Sequence, residues 1–220
     1  MQPFSVLSDR TWLMRDVVLL VLGGGIAGTL LDQIHVQSGT LQYRAPELAG
    51  QAWWVLPQFA LLLAAVVWTS TLIVARTRPR ADTALEPVPG RAWTRPPLMR
   101  IVVDATWFAF AYAISAAPAT VFDRDDETTR VVVLVVLALI AAIRLVLRGD
   151  RRVALVALGL TIGGPAYEAT ISSLSWFWYH DADLLGVPLW LPALYACGAP
   201  LAASVGMLLD AHGRAARARR

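Results

Sequence analysis

The sequence predicts an all-α fold, one polytopic bundle of six transmembrane helices with both termini in the cytoplasm. Three observations predict it. The 220 residues are 57% hydrophobic, with a mean hydropathy of +0.55 that is too apolar for a water-soluble domain. The apolar residues fall into six blocks, near 16–33, 52–75, 98–119, 130–147, 153–176 and 188–210. Each block approaches the roughly 20 residues that cross bilayer hydrocarbon as a helix. All 19 basic residues are arginine, and six crossings place sixteen of them on one side, against Arg44, Arg124 and Arg130 on the other. Short basic segments stay in the cytoplasm.

Composition also excludes function classes. A pI near 9.5 suggests nucleic acid at first sight, but arginines confined to the ends of apolar blocks are topology signals instead. The single cysteine, Cys197, lies inside the sixth block and reads as a small buried residue. No Cys/His spacing suits a metal, and no cofactor is expected. Exclusive use of arginine with abundant alanine suggests a GC-rich bacterial genome. The expected site is therefore a bacterial plasma membrane, or the endoplasmic reticulum in a eukaryote.

Taken in order, residues 1–15 form an amphipathic lead with Phe4, Leu7, Trp12 and Met14. Such a segment suits the inner membrane surface. No cleaved signal peptide is expected. Span one carries Gly23-Gly24-Gly25 and Gly28, small residues that let helix backbones approach closely. It ends in Asp32-Gln33-Ile34-His35, with His35 expected in solvent at the interface. Residues 36–51 read as an outer loop. Span two opens Trp53-Trp54, suited to the aromatic belt, and Gln58 lies deep enough to need a partner. Residues 76–97, with five arginines and five prolines, read as a cytoplasmic loop. Asp104 on span three is expected to pair with Arg100, one turn away. Span four is nearly pure Val, Leu, Ile and Ala, a lipid-facing or packing helix with no chemistry. Residues 211–220 form a basic cytoplasmic tail.

Spans five and six hold the unusual chemistry. Each is interrupted by a glycine-proline cluster, Gly163-Gly164-Pro165 and Gly198-Ala199-Pro200. A helix-interior proline frees a carbonyl that a neighbour, water or a ligand must satisfy inside a membrane. At 1.5 Å per residue, Gln58, Tyr112, Glu168 and Tyr195, from four different spans, share one layer in the outer half of the bilayer. That layer is either a network tying helices together or the polar rim of a lipid cavity walled by Gly164 and Gly198. Catalysis is not expected: Glu168 has no second titratable group beside it in sequence and no nucleophile–base set exists. A carrier using Glu168 as a proton or cation site is the alternative, since intramembrane acids mark such pathways.

Two stretches carry a family resemblance. Trp53-Trp54-Val55 with Pro57, after a span ending Leu30-Leu31-Asp32-Gln33-Ile34, resembles the start of the Insig (insulin-induced gene) proteins. The run Tyr179…Asp183-Leu184-Leu185-Gly186-Val187-Pro188-Leu189-Trp190-Leu191-Pro192 is similar to the family's loop into its last span. Gly198-Ala199 and Ser204-Val205-Gly206 follow that span's small-residue pattern. The resemblance covers about 16–210, with specific motifs at its two ends. It implies six helices with cytosolic termini and a lipid bound among them, an oxysterol in the animal members, which also hold sterol-sensing partners. Asp183 falls on an aspartate of the family's partner-engaging loop. Glu168 falls about one residue from a polar position of its sterol site. The turn after span four departs, with Leu145-Val146-Leu147 before Arg148 where the family has aromatics before an Asp-Arg run. A bacterial chain would keep only the lipid-binding core, with a membrane-protein partner or further copies of itself as possible company.

No arginine stands at the depth of the polar layer, so a phosphate there would be buried without a counter-charge. The expected ligand is a neutral lipid, diacylglycerol ahead of a sterol. The arginine distribution makes a direct test. Ser38→Cys, Thr128→Cys and Asp181→Cys should label with an impermeant thiol reagent from outside intact cells, and Thr83→Cys should not. Labelling at position 83 would overturn the orientation.

Overall fold

The computed structural model describes residues 14–77, 97–117 and 126–218. Among them run α1 (Met14–Ser38), β1 (Leu41–Tyr43), α2 (Val55–Arg76), α3 (Pro97–Ala116), α4 (Glu127–Arg148), α5 (Arg151–Ser173), β2 (Phe177–Tyr179) and α6 (Leu191–Ala218). All six helices are long and apolar enough to cross a membrane. The amphipathic lead, the proline-arginine loop and the segment from Pro118 to Asp125 lie outside the described residues.

α6 is the post around which the others stand. In its apolar window 61% of residues are buried, against 17–22% in the other five helices, and α2, α3, α4 and α5 all pack on it. Its composition explains this. Ala199 and Ala203 are fully buried, with Gly198, Ala202, Ser204 and Gly206 around them. A side chain at Gly206 would meet the backbone of Ser70 and Thr71 on α2 at 3.0–3.1 Å. Helices in lipid associate by such close van der Waals approach, because lipid tails offer no hydrophobic drive. The same device joins α1 to α2. Gly24, Gly25 and Gly28 face Leu63, Ala60 and Phe59, whereas Gly23 faces open space.

The glycine-proline clusters do not break their helices. α5 runs unbroken through Pro165 and α6 through Pro200. A proline removes one internal bond, but in hydrocarbon every other backbone bond of the turn favours continuing the helix. Helix ends follow local capping. Asp126 accepts from the backbone N–H groups of Thr128 and Thr129, so α4 begins at Glu127. Those bonds, Thr128's foremost, hold its carboxyl below the usual range. Gly149 closes α4 at φ +55°, a left-handed conformation natural to glycine. Asp150 then caps α5 and grips the Arg152 guanidinium with both oxygens. Burial pushes its pKa up, and the hydrogen bonds and charge of Arg152 outweigh that and hold it below the usual carboxylate range. α6 continues to Ala218 through the basic tail, as alanine and arginine are strong helix formers.

The two ends of the bundle are built differently. At one end, residues 36–51 and 177–187, expected as loops, meet in a two-stranded antiparallel ribbon with Leu41 opposite Tyr179 and Tyr43 opposite Phe177. At the arginine-rich end, Asp104 of α3 is buried. Its partners are not Arg100 but Arg144 and Arg148 of α4, with the Ser204 hydroxyl of α6 donating at 2.7 Å. The expected Arg100 pairing was a same-helix reading. The structure instead turns Asp104 inward, where two guanidiniums and a hydroxyl outbid one neighbour on its own helix. α4 is thus more than a packing helix. Arg144 also lies over the Trp107 ring at 5.6 Å.

Asp104 therefore clamps three helices. Asp104→Ala should lower stability in detergent by about 3 kcal/mol, the lower end for orphaning a buried charge, since both arginines can partly reach the interface. Unfolding of the variant at the wild-type midpoint would refute the clamp.

Candidate functional site

The ribbon's side chains alternate. Leu41, Tyr43, Phe177 and Tyr179 are buried, while Gln42 and Trp178 are exposed. Tyr43 and Tyr179 therefore point from one face into the bundle, and each reaches a carboxylate, buried at Asp32 and half-buried at Glu168. The Tyr43 hydroxyl donates to Asp32 of α1 at 2.8 Å, joined by the Gln51 side-chain amide at 2.7 Å. The same amide nitrogen donates to the Thr29 carbonyl at 3.0 Å. The Tyr179 hydroxyl donates to Glu168 of α5, and the Tyr195 hydroxyl of α6 donates to its other oxygen at 2.6 Å. Burial first, then the neighbouring carboxylate charge, pushes the Tyr43 and Tyr179 phenols well above their ordinary range, so both remain proton-bearing donors.

Glu168 and Tyr195 meet because of Gly164. It lies one helical turn from Glu168, and a Cβ there would fall 2.3 Å from the Tyr195 ring. The ring lies flat where the glycine leaves room, which directs its hydroxyl to Glu168. Gly164 and Pro165 are thus a groove for a side chain rather than a break in the helix.

A third group lies beside these. His35, expected in solvent, is 1% exposed. α1 runs on to Ser38, so His35 sits a turn inside the helix end beneath the ribbon. Its Nε2 pairs with the Ser115 hydroxyl at 2.8 Å. That hydroxyl donates its own proton to the Tyr112 carbonyl at 2.8 Å, so the imidazole is the donor in the pair. The ring stacks on Tyr112 at 4.7 Å and meets the Trp190 edge at 5.6 Å. Trp190 in turn packs edge-on against Tyr179 at 5.9 Å. It is 1% exposed, and its indole Nε1 is buried with no hydrogen-bond partner among the described residues.

The structure thus joins Glu168, Tyr195 and Gly164 directly, and reaches Tyr112 through Tyr179, Trp190 and His35. It does not join the other two site residues to them in this way. Gln58 is half-buried on α2, and its side chain makes no hydrogen bond to another described residue. A Cβ at Gly198 would fall 3.1 Å from the Phe108 ring, so the glycine lets α6 pack closely against α3. Asp183 lies on the surface of the ribbon end, where it accepts from Arg130 at 2.8 Å and from the Leu189 backbone N–H at 2.9 Å. Sequence reading missed Asp32, His35, Tyr43, Gln51, Tyr179 and Trp190. The alternation in Leu41-Gln42-Tyr43 and in Phe177-Trp178-Tyr179, with its aromatic bias, was the available signal for the ribbon.

Chemically, the site offers two carboxylates supplied with neutral donors, one spare indole N–H and apolar walls. No ion pair to either carboxylate occurs among the described residues. Those residues also hold no group of three or more His, Cys, Asp or Glu fit for a metal.

Neither a protein-family model nor a curated protein matches the sequence. Solved structures share its fold. An Insig homologue from Mycobacterium vanbaalenii, MvINS, aligns with a TM-score of 0.69 and 23% identity, covering 91% of this chain and 97% of that one. A cross-linked trimer of MvINS aligns with a TM-score of 0.68 and 24% identity over the same shares. The resemblance drawn from the two sequence motifs therefore holds at the level of the fold, and the chain has the Insig architecture of six long apolar helices.

The two phenols on Glu168 can be weighed separately. Tyr179→Phe and Tyr195→Phe should each cost about 1–2 kcal/mol in unfolding experiments, the range for one bond to a buried acid. Tyr167→Phe, on the same helix but outside this network, should cost nothing measurable. Equal stability of all three variants would exclude the network as a structural element.

Proposed function

We propose that this protein is a non-catalytic, Insig-type protein of a bacterial plasma membrane, with both termini cytoplasmic, that binds a neutral lipid among its helices at the level of Glu168 and serves as a lipid sensor or regulator. The observation that carries the reading is the unspent hydrogen-bonding capacity of the buried layer. The Trp190 indole N–H has no partner among the described residues, and a buried donor left unpaired costs about 1–3 kcal/mol unless something accepts from it. The Gln58 amide is also free of the described side chains.

The chemistry of the layer selects the ligand. Every donor near Glu168 is a neutral phenol, imidazole, amide or indole, so a phosphate placed there would lack a counter-charge. A lipid with ester carbonyls and one hydroxyl matches better. Its carbonyl would accept from Trp190 or Gln58 and its hydroxyl would donate to Glu168. Diacylglycerol has both features and a sterol has only the hydroxyl, which favours diacylglycerol. Tyr112 and Tyr195 would line the acyl path, while Gly164 and Gly198, expected there, instead make room for the Tyr195 and Phe108 rings. Asp183, tied to Arg130 at the surface, belongs to the loop and not to the ligand. The MvINS trimer supports a homo-oligomer here as well.

Lipid extracted from the purified protein and identified by mass spectrometry tests this. Neutral lipid should co-purify, Glu168→Leu should weaken its retention by about 1–2 kcal/mol, and Asp183→Ala should leave retention unchanged. Phospholipid alone in the extract, or wild-type retention by Glu168→Leu, would remove the site. Proton-gradient-dependent uptake in proteoliposomes, abolished by Glu168→Gln, would replace the reading with a carrier.

A further inference from the structure

The arginine-rich end holds a buried charge that the other described residues do not balance. Asp104 is 2% exposed and binds two guanidiniums, Arg144 and Arg148. The three groups together carry one positive charge. The neighbouring carboxylates cannot cancel it, since Asp150 is gripped by Arg152 and Asp210 by Arg214.

The donors are unbalanced as well. Arg148 uses Nη2 alone on the protein, for Asp104 and the Ser204 hydroxyl. Its Nε and Nη1 have no partner among the described residues. Arg144 gives Nη2 to Asp104, and its Nε is buried with no partner. The side chains are 13% and 20% exposed, so both guanidiniums sit at the edge of the bundle, within reach of a group arriving from the bilayer. Trp107 covers one face of Arg144, leaving its edge as the open approach. Two arginines in fixed positions, with spare coplanar donors and an excess charge, match a phosphate oxyanion.

We propose that Arg144 and Arg148, held in place by Asp104 and Ser204, bind the phosphate of an anionic phospholipid from the leaflet at the arginine-rich end. This site is separate from the neutral-lipid layer beneath the ribbon and does not depend on it. The lipid would supply the missing negative charge and tie the inner ends of α3, α4 and α6 to the leaflet.

Native mass spectrometry of the full chain in detergent, titrated with phosphatidylglycerol or phosphatidylcholine, tests it. Wild type should retain phosphatidylglycerol in preference to phosphatidylcholine. Arg148→Gln leaves Arg144 and Asp104 as a neutral pair, so the variant should fold, with an unchanged circular dichroism spectrum. Its phosphatidylglycerol affinity should fall about fivefold, the effect of one arginine at an anionic surface. Arg76→Gln, an exposed arginine at the same end, should change affinity far less. Unchanged affinity in Arg148→Gln, or an equal loss in Arg76→Gln, would overturn the site in favour of diffuse attraction. Thermal stabilisation by inorganic phosphate equal to that by phosphatidylglycerol would overturn the lipid as its source.

Discussion

The bundle depends on how closely other helices can approach α6. Association inside a bilayer has little hydrophobic drive, so close contact must supply the energy. α6 meets that demand by being small where it is crowded, at Gly198, Ala199, Ala202, Ala203 and Gly206. Once those positions are fixed, the polar residues of α6 are placed too. Tyr195 faces Gly164 and Glu168 toward the ribbon end, and Ser204 faces Asp104 toward the arginine-rich end. One helix thus carries both polar clusters because its small-residue face sets its rotation and depth.

The two clusters solve the same problem with opposite chemistry. A carboxylate in hydrocarbon is costly unless it is paired or richly hydrogen-bonded. Asp104 is answered by cations and needs long side chains from α4. Asp32 and Glu168 are answered by neutral hydroxyls and an amide. The first arrangement makes a rigid charged clamp with surplus positive charge. The second makes a polar layer held by neutral donors alone.

The ribbon is the element that makes the second arrangement possible. Three residues per strand would not hold together alone. Here the strands are braced by Tyr43 and Tyr179 reaching carboxylates on α1 and α5, and by aromatic contacts of Tyr43 with Trp54 and Phe177. The turn that follows is strained, with Leu185 at φ +54° and Gly186 at φ +78°. Its conformation lets the Gly186 carbonyl accept from Ser172 at the end of α5. Each tyrosine thus links a strand of the ribbon to a helix carboxylate, with Gln51 holding Asp32 and Tyr195 holding Glu168 from the other side.

Six helices were legible in the sequence because crossing a bilayer is a local property: a run of apolar residues must satisfy its own backbone wherever it stands. The glycine contact of α1 and the burial of Cys197 were legible for the same reason, as was the Insig resemblance in runs such as Trp190-Leu191-Pro192. Partner choice was not local. Asp104 found arginines 40 and 44 residues away in place of the one four residues off. His35 went from an expected solvent position to full burial because Tyr112, Ser115 and Trp190, all distant in the chain, close on its ring. Glu168 and Tyr195 were read from depth alone, yet Tyr179 entered the site only through strand register. Depth follows from counting residues along one helix. Helix rotation and strand pairing arise from contacts between segments far apart in the chain, and only the packed structure decides those.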